Sequence, residues 1–220
     1  MKKSRSVHVT TIHGCDGPTS VFIAGNTPSK HKIQTIKNAL RKKRYQRKKQ
    51  KIAASIDPAP HSLEEVVSYI TERYHAAELD ADSHRAREGY LALKEMLVQK
   101  YYPELLGEPL DGRMPKDIHD ETAIQEYLKL CGEYLKKARN LPEDMVPMDY
   151  HLYRIKLETG GEVHIDIEYM HHFFGAGYTG GTKKEGIRVL REIYRYYGVT
   201  EEDIENETER MQTLTAVLMD

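Results

Sequence analysis

Apolar positions follow two different periods along the chain. Over residues 63–77, Leu63, Val66, Val67, Ile70, Tyr74 and Ala77 recur every three or four positions, which marks one buried face of a helix. Ser62 and Glu65 just ahead of them make a capping box. Ala86, Tyr90, Leu93, Leu97 and Tyr101 form a second stripe that stops before Pro103. Ile124, Tyr127, Leu128, Cys131, Leu135 and Ala138 form a third, over 116–139. These helices predict a small bundle over 62–140.

Past residue 149 the period changes to two. The spacing predicts hairpin arms over 150–157 and 163–169, joined by a loop of Thr159, Gly160 and Gly161. Leu157 then faces Val163, Ile155 faces Ile165 and Tyr153 faces Ile167. Arg154 and Lys156 share the opposite face with Asp166 and His164. A one-residue slip sets apolar against polar side chains, so this pairing is the preferred one. Residues 173–181 read as a glycine-rich loop. Two helices follow, 182–197 and 200–218, the second capped by Thr200 and Asp203.

The amino-terminal third is different. Residues 7–12 and 20–24 read as strands around a turn at 13–19. Thr27-Pro28 starts a helix that runs to about residue 54. Its apolar stripe is thin: Ile33, Ile36, Leu40, then little until Ile52. A linker at 57–60, with two prolines, follows it. The fold class is therefore α+β, mostly helical, with two β-hairpins forming one small sheet plus a long basic helix. The expected divisions are a hairpin at 1–27, the basic helix at 28–54, the bundle at 62–140, and a hairpin, glycine-rich loop and two helices at 150–220. Residues 62–220 are expected to form one domain.

Charge sharpens that division. The 220 residues carry 33 Lys and Arg against 34 Asp and Glu, a formal charge of −1. Residues 1–51 hold 14 of the bases and a single acid, Asp16. Such asymmetry points to an anionic partner for the basic end, or to attraction between the two parts of the chain. Residues 30–51 alone have 11 bases and no acid, with Tyr45 the one aromatic. Lys42, Lys43, Arg44, Arg47, Lys48 and Lys49 are its densest part. Basic helices bind nucleic-acid phosphates through counterion release and also bind acidic protein faces. A membrane-lying helix needs a large apolar face, which 40–51 lacks. Contact with nucleic acid, with an acidic protein surface, or with another copy of the chain all fit this composition.

Other classes fall away. No stretch approaches the ~18 apolar residues of a membrane span. Lys2 and Lys3 lead into Ser, Arg, His and Thr rather than an apolar core, so no signal peptide is predicted. Cys15 and Cys131 cannot build a disulfide framework. The expectation is a soluble cytoplasmic protein.

Residues 12–25 read Ile-His-Gly-Cys-Asp-Gly-Pro-Thr-Ser-Val-Phe-Ile-Ala-Gly. This segment resembles the Asp-Gly-Pro-Thr segment in the beta subunit of sodium-translocating decarboxylases, membrane proteins that couple decarboxylation to sodium export. Asp16, Gly17, Pro18, Thr19 and Ser20 match it position by position. Cys15 stands where that family commonly has Ala, and His13 where it has Gly. The resemblance implies that Asp16 corresponds to the family's sodium-coupling Asp. A sodium path needs spanning segments, and this sequence shows none, so the likeness covers a local strand–turn–strand. In physical terms Gly17-Pro18 supplies turn geometry, and Asp16 and Thr19 hydrogen-bond turn amides.

Two further groups are candidates for chemistry. His171 and His172 abut the glycine-rich segment, where an imidazole can serve as general acid or base. Gly175, Gly177 and Gly180 fit G-x-G-x-x-G, and Thr182 and Lys183 open a helix behind them. Amides at a helix start favour an anion. No return strand with an acidic residue completes a dinucleotide fold. His164, Asp166 and Glu168 alternate on one strand face in the manner of metal ligands. Arg154 and Lys156 opposite them make it an ordinary charged outer face, so no metal is expected. Nothing in the sequence names a cofactor.

The leading expectation is a binding or adaptor protein whose basic helix engages a polyanion. The rival is a small enzyme acting on a phosphorylated or carboxylated metabolite at His171, His172 and the glycine-rich segment. A third is a repurposed relative of the decarboxylase subunit without its membrane part.

Overall fold

Local caps decide where the helices begin. The computed structural model describes residues 31–219 apart from 109, 111, 112, 116, 118 and 119, with side chains from Asn38 onward. The hairpin expected at 1–27, with Asp16, Gly17, Pro18, Thr19 and Ser20, lies outside the described residues. Helix α1 spans His31–Ala53. Helix α2, Leu63–Tyr74, starts at the Ser62/Glu65 capping box. A two-residue strand β1, Ala77–Glu78, leads to α3, His84–Tyr101, capped by Ser83. A short 3-10 turn, Pro103–Leu106, precedes α4, Glu121–Arg139. The Asp120 carboxylate accepts the Ala123 amide 3.1 Å away, so α4 begins five residues later than its apolar pattern suggested.

Strands β2 (Tyr150–Lys156), β3 (Glu162–Glu168) and β4 (Phe173–Thr179) complete a four-stranded antiparallel sheet in the order β1-β2-β3-β4. Helix α5 spans Lys183–Tyr197, α6 Glu201–Glu205 and α7 Glu209–Met219. The class is α+β, as expected.

Three expectations need correction. The hairpin loop is 158–160, not 159–161. The Leu157 amide donates to the Gly161 carbonyl, the Gly160 amide to the Leu157 carbonyl, and the Tyr169 amide to the Asp149 carbonyl. Gly160 takes φ +85, the left-handed residue that closes a three-residue hairpin loop. Ile155 therefore faces Val163, and Tyr153 faces Ile165. The slip is two residues, so it leaves the apolar face intact.

The second correction concerns 173–181, which is strand rather than loop through Thr179. The glycines there make room for rings. A Cβ on Gly175 would lie 3.0 Å from the Phe173 ring, and one on Gly186 of α5 would lie 2.5 Å from the Tyr178 ring.

Third, the helix expected over 200–218 breaks into α6 and α7. Asp203 caps α6 at Thr200 and also accepts the Thr208 hydroxyl at 2.5 Å, and Glu207 adopts φ +47.

The chain divides into two compact units. In the first, made of the described residues up to Ala77 with 154–164 and 176–219, α2 packs on α5, α5 on α7, and α7 on α1. Val66, Ile70, Ile155, Val163, Ile193 and Val199 are fully buried there. Residues 57–60, read as a linker, are held in place. The Ala59 amide donates to the Val199 carbonyl at 3.0 Å and the His61 amide to the Tyr197 carbonyl at 3.1 Å.

The second unit is Glu78–Tyr153 with Ile165–Gly175. Here α3 packs on α4, and Val98, Leu106, Ala138 and Val146 form the core. The three helices expected to bundle are thus shared between units, α2 with α5 and α3 with α4.

Candidate functional site

In α1, every residue from Asn38 to Lys51 is exposed. Arg41, Arg44, Lys48 and Lys51 recur at helical spacing along one side. Lys42, Lys43, Arg47 and Lys49 carry positive charge round the rest of the circumference. From Arg41 to Lys51 this sleeve is about 15 Å long. Leu40 and Tyr45, 53% and 58% exposed, are the large apolar groups exposed on α1 among the described side chains. Lys48 donates to the Met219 carbonyl at the end of α7, where a cation suits the helix dipole.

None of the other bases from Arg41 to Lys51 forms an ion pair with a described residue. Within the described chain, the basic helix does not use its own acids as counter-ions.

The two histidines diverge. His172 is exposed, with φ +52. His171 turns inward, its side chain only 11% exposed, and its Nδ1 lies 3.0 Å from Glu168. Glu168 is fully buried and accepts three backbone amides: Asp149 at 2.9 Å, Met170 at 3.1 Å and His171 at 2.7 Å. On its other side, His171 Nε2 meets the Tyr102 hydroxyl at 3.2 Å, with the Tyr101 ring 5.3 Å away. A carboxylate–imidazole–phenol chain results. Both ring nitrogens are engaged, and the carboxylate builds the turn between β3 and β4.

The face of His164, Asp166 and Glu168 is not the charged outer face expected. Each residue has its own partner. His164 Nε2 lies 3.4 Å from Glu162. Asp166 accepts the Tyr150 hydroxyl at 2.6 Å. Burial pushes the Asp166 carboxyl above its ordinary value, against the pull of the Tyr150 hydroxyl and of Arg85. Helix α3 reaches Tyr150 only because residue 89 is glycine, since a Cβ there would stand 2.2 Å from the hydroxyl oxygen. The sequence reading missed this Gly89–Tyr150–Asp166 contact. Its signal was a glycine inside an otherwise clean helical stripe. Among the described residues no group of three or more His, Cys, Asp or Glu is placed to hold a metal ion.

The anion site expected at Gly175, Gly177, Gly180, Thr182 and Lys183 is not assembled as a loop. Gly175 and Gly177 lie in β4. Thr182 caps α5 by accepting the Glu185 amide. The Glu185 carboxylate reaches the hairpin loop and accepts the Glu158 and Thr159 amides and the Thr159 hydroxyl. The Thr159 hydroxyl first, then these amides, hold the Glu185 carboxyl below its ordinary value. The start of α5 is thus tied to the protein's own side chains, while Lys183 stays exposed.

No family model, curated protein or solved structure matches the chain. Among the described residues no helix is long and apolar enough to cross a membrane.

Proposed function

We propose that the protein binds a polyanion through α1, and that the polyanion is nucleic acid held by its phosphate backbone. The observation that carries this reading is the exposed basic sleeve without ion-pair partners among the described residues. Seven or eight Lys and Arg side chains on about 15 Å of helix match a duplex that carries one charge per about 1.7 Å of axis. Tyr45, exposed among the bases, offers a ring to stack on an unpaired base. Recognition is of the backbone, since no groove-reading motif carries these residues. The enzyme reading rests on His171, His172 and the glycine-rich segment; both ring nitrogens of His171 already have partners and His172 is exposed.

Fluorescence anisotropy with a labelled RNA or DNA oligonucleotide tests the proposal. Lys42→Gln, Lys43→Gln, Arg44→Gln, Arg47→Gln and Lys49→Gln together are expected to abolish binding while the circular dichroism melt stays unchanged. Unaltered binding by this variant, or no binding by the wild type at low salt, overturns the proposal. Copurification of acidic proteins instead of nucleic acid from a low-salt lysate would reassign α1 to a protein partner.

A further inference from the structure

Helix α4 turns one side into the core, and along the edge of that side it carries a row of apolar residues only partly covered by the described residues. Tyr134 and Ala138 pack into the core with Val98, Leu106 and Val146. That row is Ile124, Leu128, Cys131 and Leu135, at intervals of four, three and four residues, with Ile124 and Cys131 half-buried. Leu128 is 61% and Leu135 38% exposed, and Cys131 is free. That spacing is a heptad seam with apolar residues every 3.5 positions, rather than the broader stripe of a helix lying on a core.

We propose that this face is a homodimer contact in which α4 pairs antiparallel with α4 of a second copy. The ends of the helix fix the direction. Asp120 caps the first turn and Glu121 lies in it, while Lys136, Lys137 and Arg139 fill the last; Arg139 also pairs with Glu95 at 2.6 Å and Lys137 donates to the Leu106 carbonyl, which leaves Lys136 as the uncommitted base among the described residues. A parallel pair sets these bases side by side. An antiparallel pair sets the acidic start of each helix against the basic end of the other and opposes the helix dipoles. The same direction closes the seam completely: Leu128 layers with Cys131 of the second copy, and Ile124 with Leu135. Glu121 then falls within one residue of Arg139 of the second copy. Gly132 has nothing within 4 Å of a notional Cβ, which leaves space beside the seam for the second helix. Four layers make a contact at the small end of specific interfaces, so the dimer is weak and concentration-dependent.

Sedimentation equilibrium on the nuclease-treated full chain tests this at about 0.5 M salt, where exposed charge attraction is screened and bridging by nucleic acid is removed. The expected result is a monomer–dimer equilibrium whose dissociation constant rises at least about tenfold in L128K/L135K. Both leucines are exposed, so an unchanged thermal melt shows that this variant is folded.

A short bis-maleimide in a C15S background supplies a second readout. The two Cys131 residues stand about 10 Å apart across an 8–10 Å helix pair and are expected to cross-link. E133C placed on C15S/C131S, on the far side of α4, is expected not to. A monomer at every concentration up to roughly 1 mM, or a dimer unaffected by L128K/L135K, overturns the proposal. Loss of nucleic-acid binding in the α1 variant leaves this test untouched.

Discussion

Charge is handled in opposite ways in α1 and at the β3–β4 turn. At the turn, one fully buried carboxylate, Glu168, takes three amides and an imidazole. A charge survives burial when it is paired and hydrogen-bonded, and here that pairing shapes the backbone around it. In α1, eight bases lie in the eleven exposed residues 41–51, and among the described residues only Lys48 of these has a hydrogen-bond partner. The other seven form no ion pair with a described residue, and crowding like charges at helical spacing costs helix stability. Charge at the turn is tied into the backbone, whereas the charge of 41–51 faces solvent.

The largest effect that can break this comparison is at Glu168. Glu168→Ala strands three backbone donors and frees His171, and is expected to cost about 3–5 kcal/mol in urea denaturation. A loss under ~1 kcal/mol would show that the turn does not depend on it. Gly89→Ala comes next. It drives a methyl group into the Tyr150 hydroxyl and is expected to cost about 1–3 kcal/mol through overpacking, although Ala is the better helix former. An unchanged melting temperature would mean that α3 has room to move. At the other pole, the five-Gln variant of α1 is expected to shift stability by under about 0.5 kcal/mol while nucleic-acid binding disappears.

Two titrations sharpen the contrast with smaller effects. Burial raises the Asp166 carboxyl, so the fold favours its protonated form. That contribution is full at low pH and is lost as pH rises from the ordinary Asp range through the raised value. Asp166→Asn is expected to flatten stability against pH in this window, as read by denaturant melts.

His151 behaves in the reverse chemical sense. Burial lowers its pKa, but Glu78 and Asp149, 2.6 and 3.0 Å from its two nitrogens, raise it overall. Its contribution is present below the ordinary histidine value and fades as pH rises through the raised one. His151→Gln is therefore expected to weaken β1 pairing, measured by amide exchange of Leu79, more at pH 5.5 than at pH 9. Equal effects at both pH values would place the loss in packing alone.

Much of the fold was legible because its signals are local. Ser62 with Glu65 and Thr200 with Asp203 form the boxes their spacing predicts. The hairpin kept its apolar face despite a two-residue slip, since side chains alternate with period two.

What escaped detection needs long-range partners. Gly175 and Gly177 read as loop residues until the Phe173 ring is seen lying over one of them and Tyr178 against Gly186. The assignment of α2 to α5 rather than α3 is a matter of packing that no stripe encodes. At the candidate sites, composition alone pointed to α1, because a run of bases without acids is visible in one dimension. The inward turn of His171 and the outward turn of His172 depend on Glu168 and on a positive φ, which adjacent identical letters do not distinguish.

The central claim is that the α1 charge is held for a polyanion. The slope of log K against log salt for binding a nucleic-acid duplex tests it most directly, since each phosphate contact contributes about −0.9. A slope of roughly −5 to −7, reduced by about one for each of Lys42→Gln and Lys43→Gln made singly, is the result this account predicts. A slope near zero, or one that these substitutions leave unchanged, contradicts it.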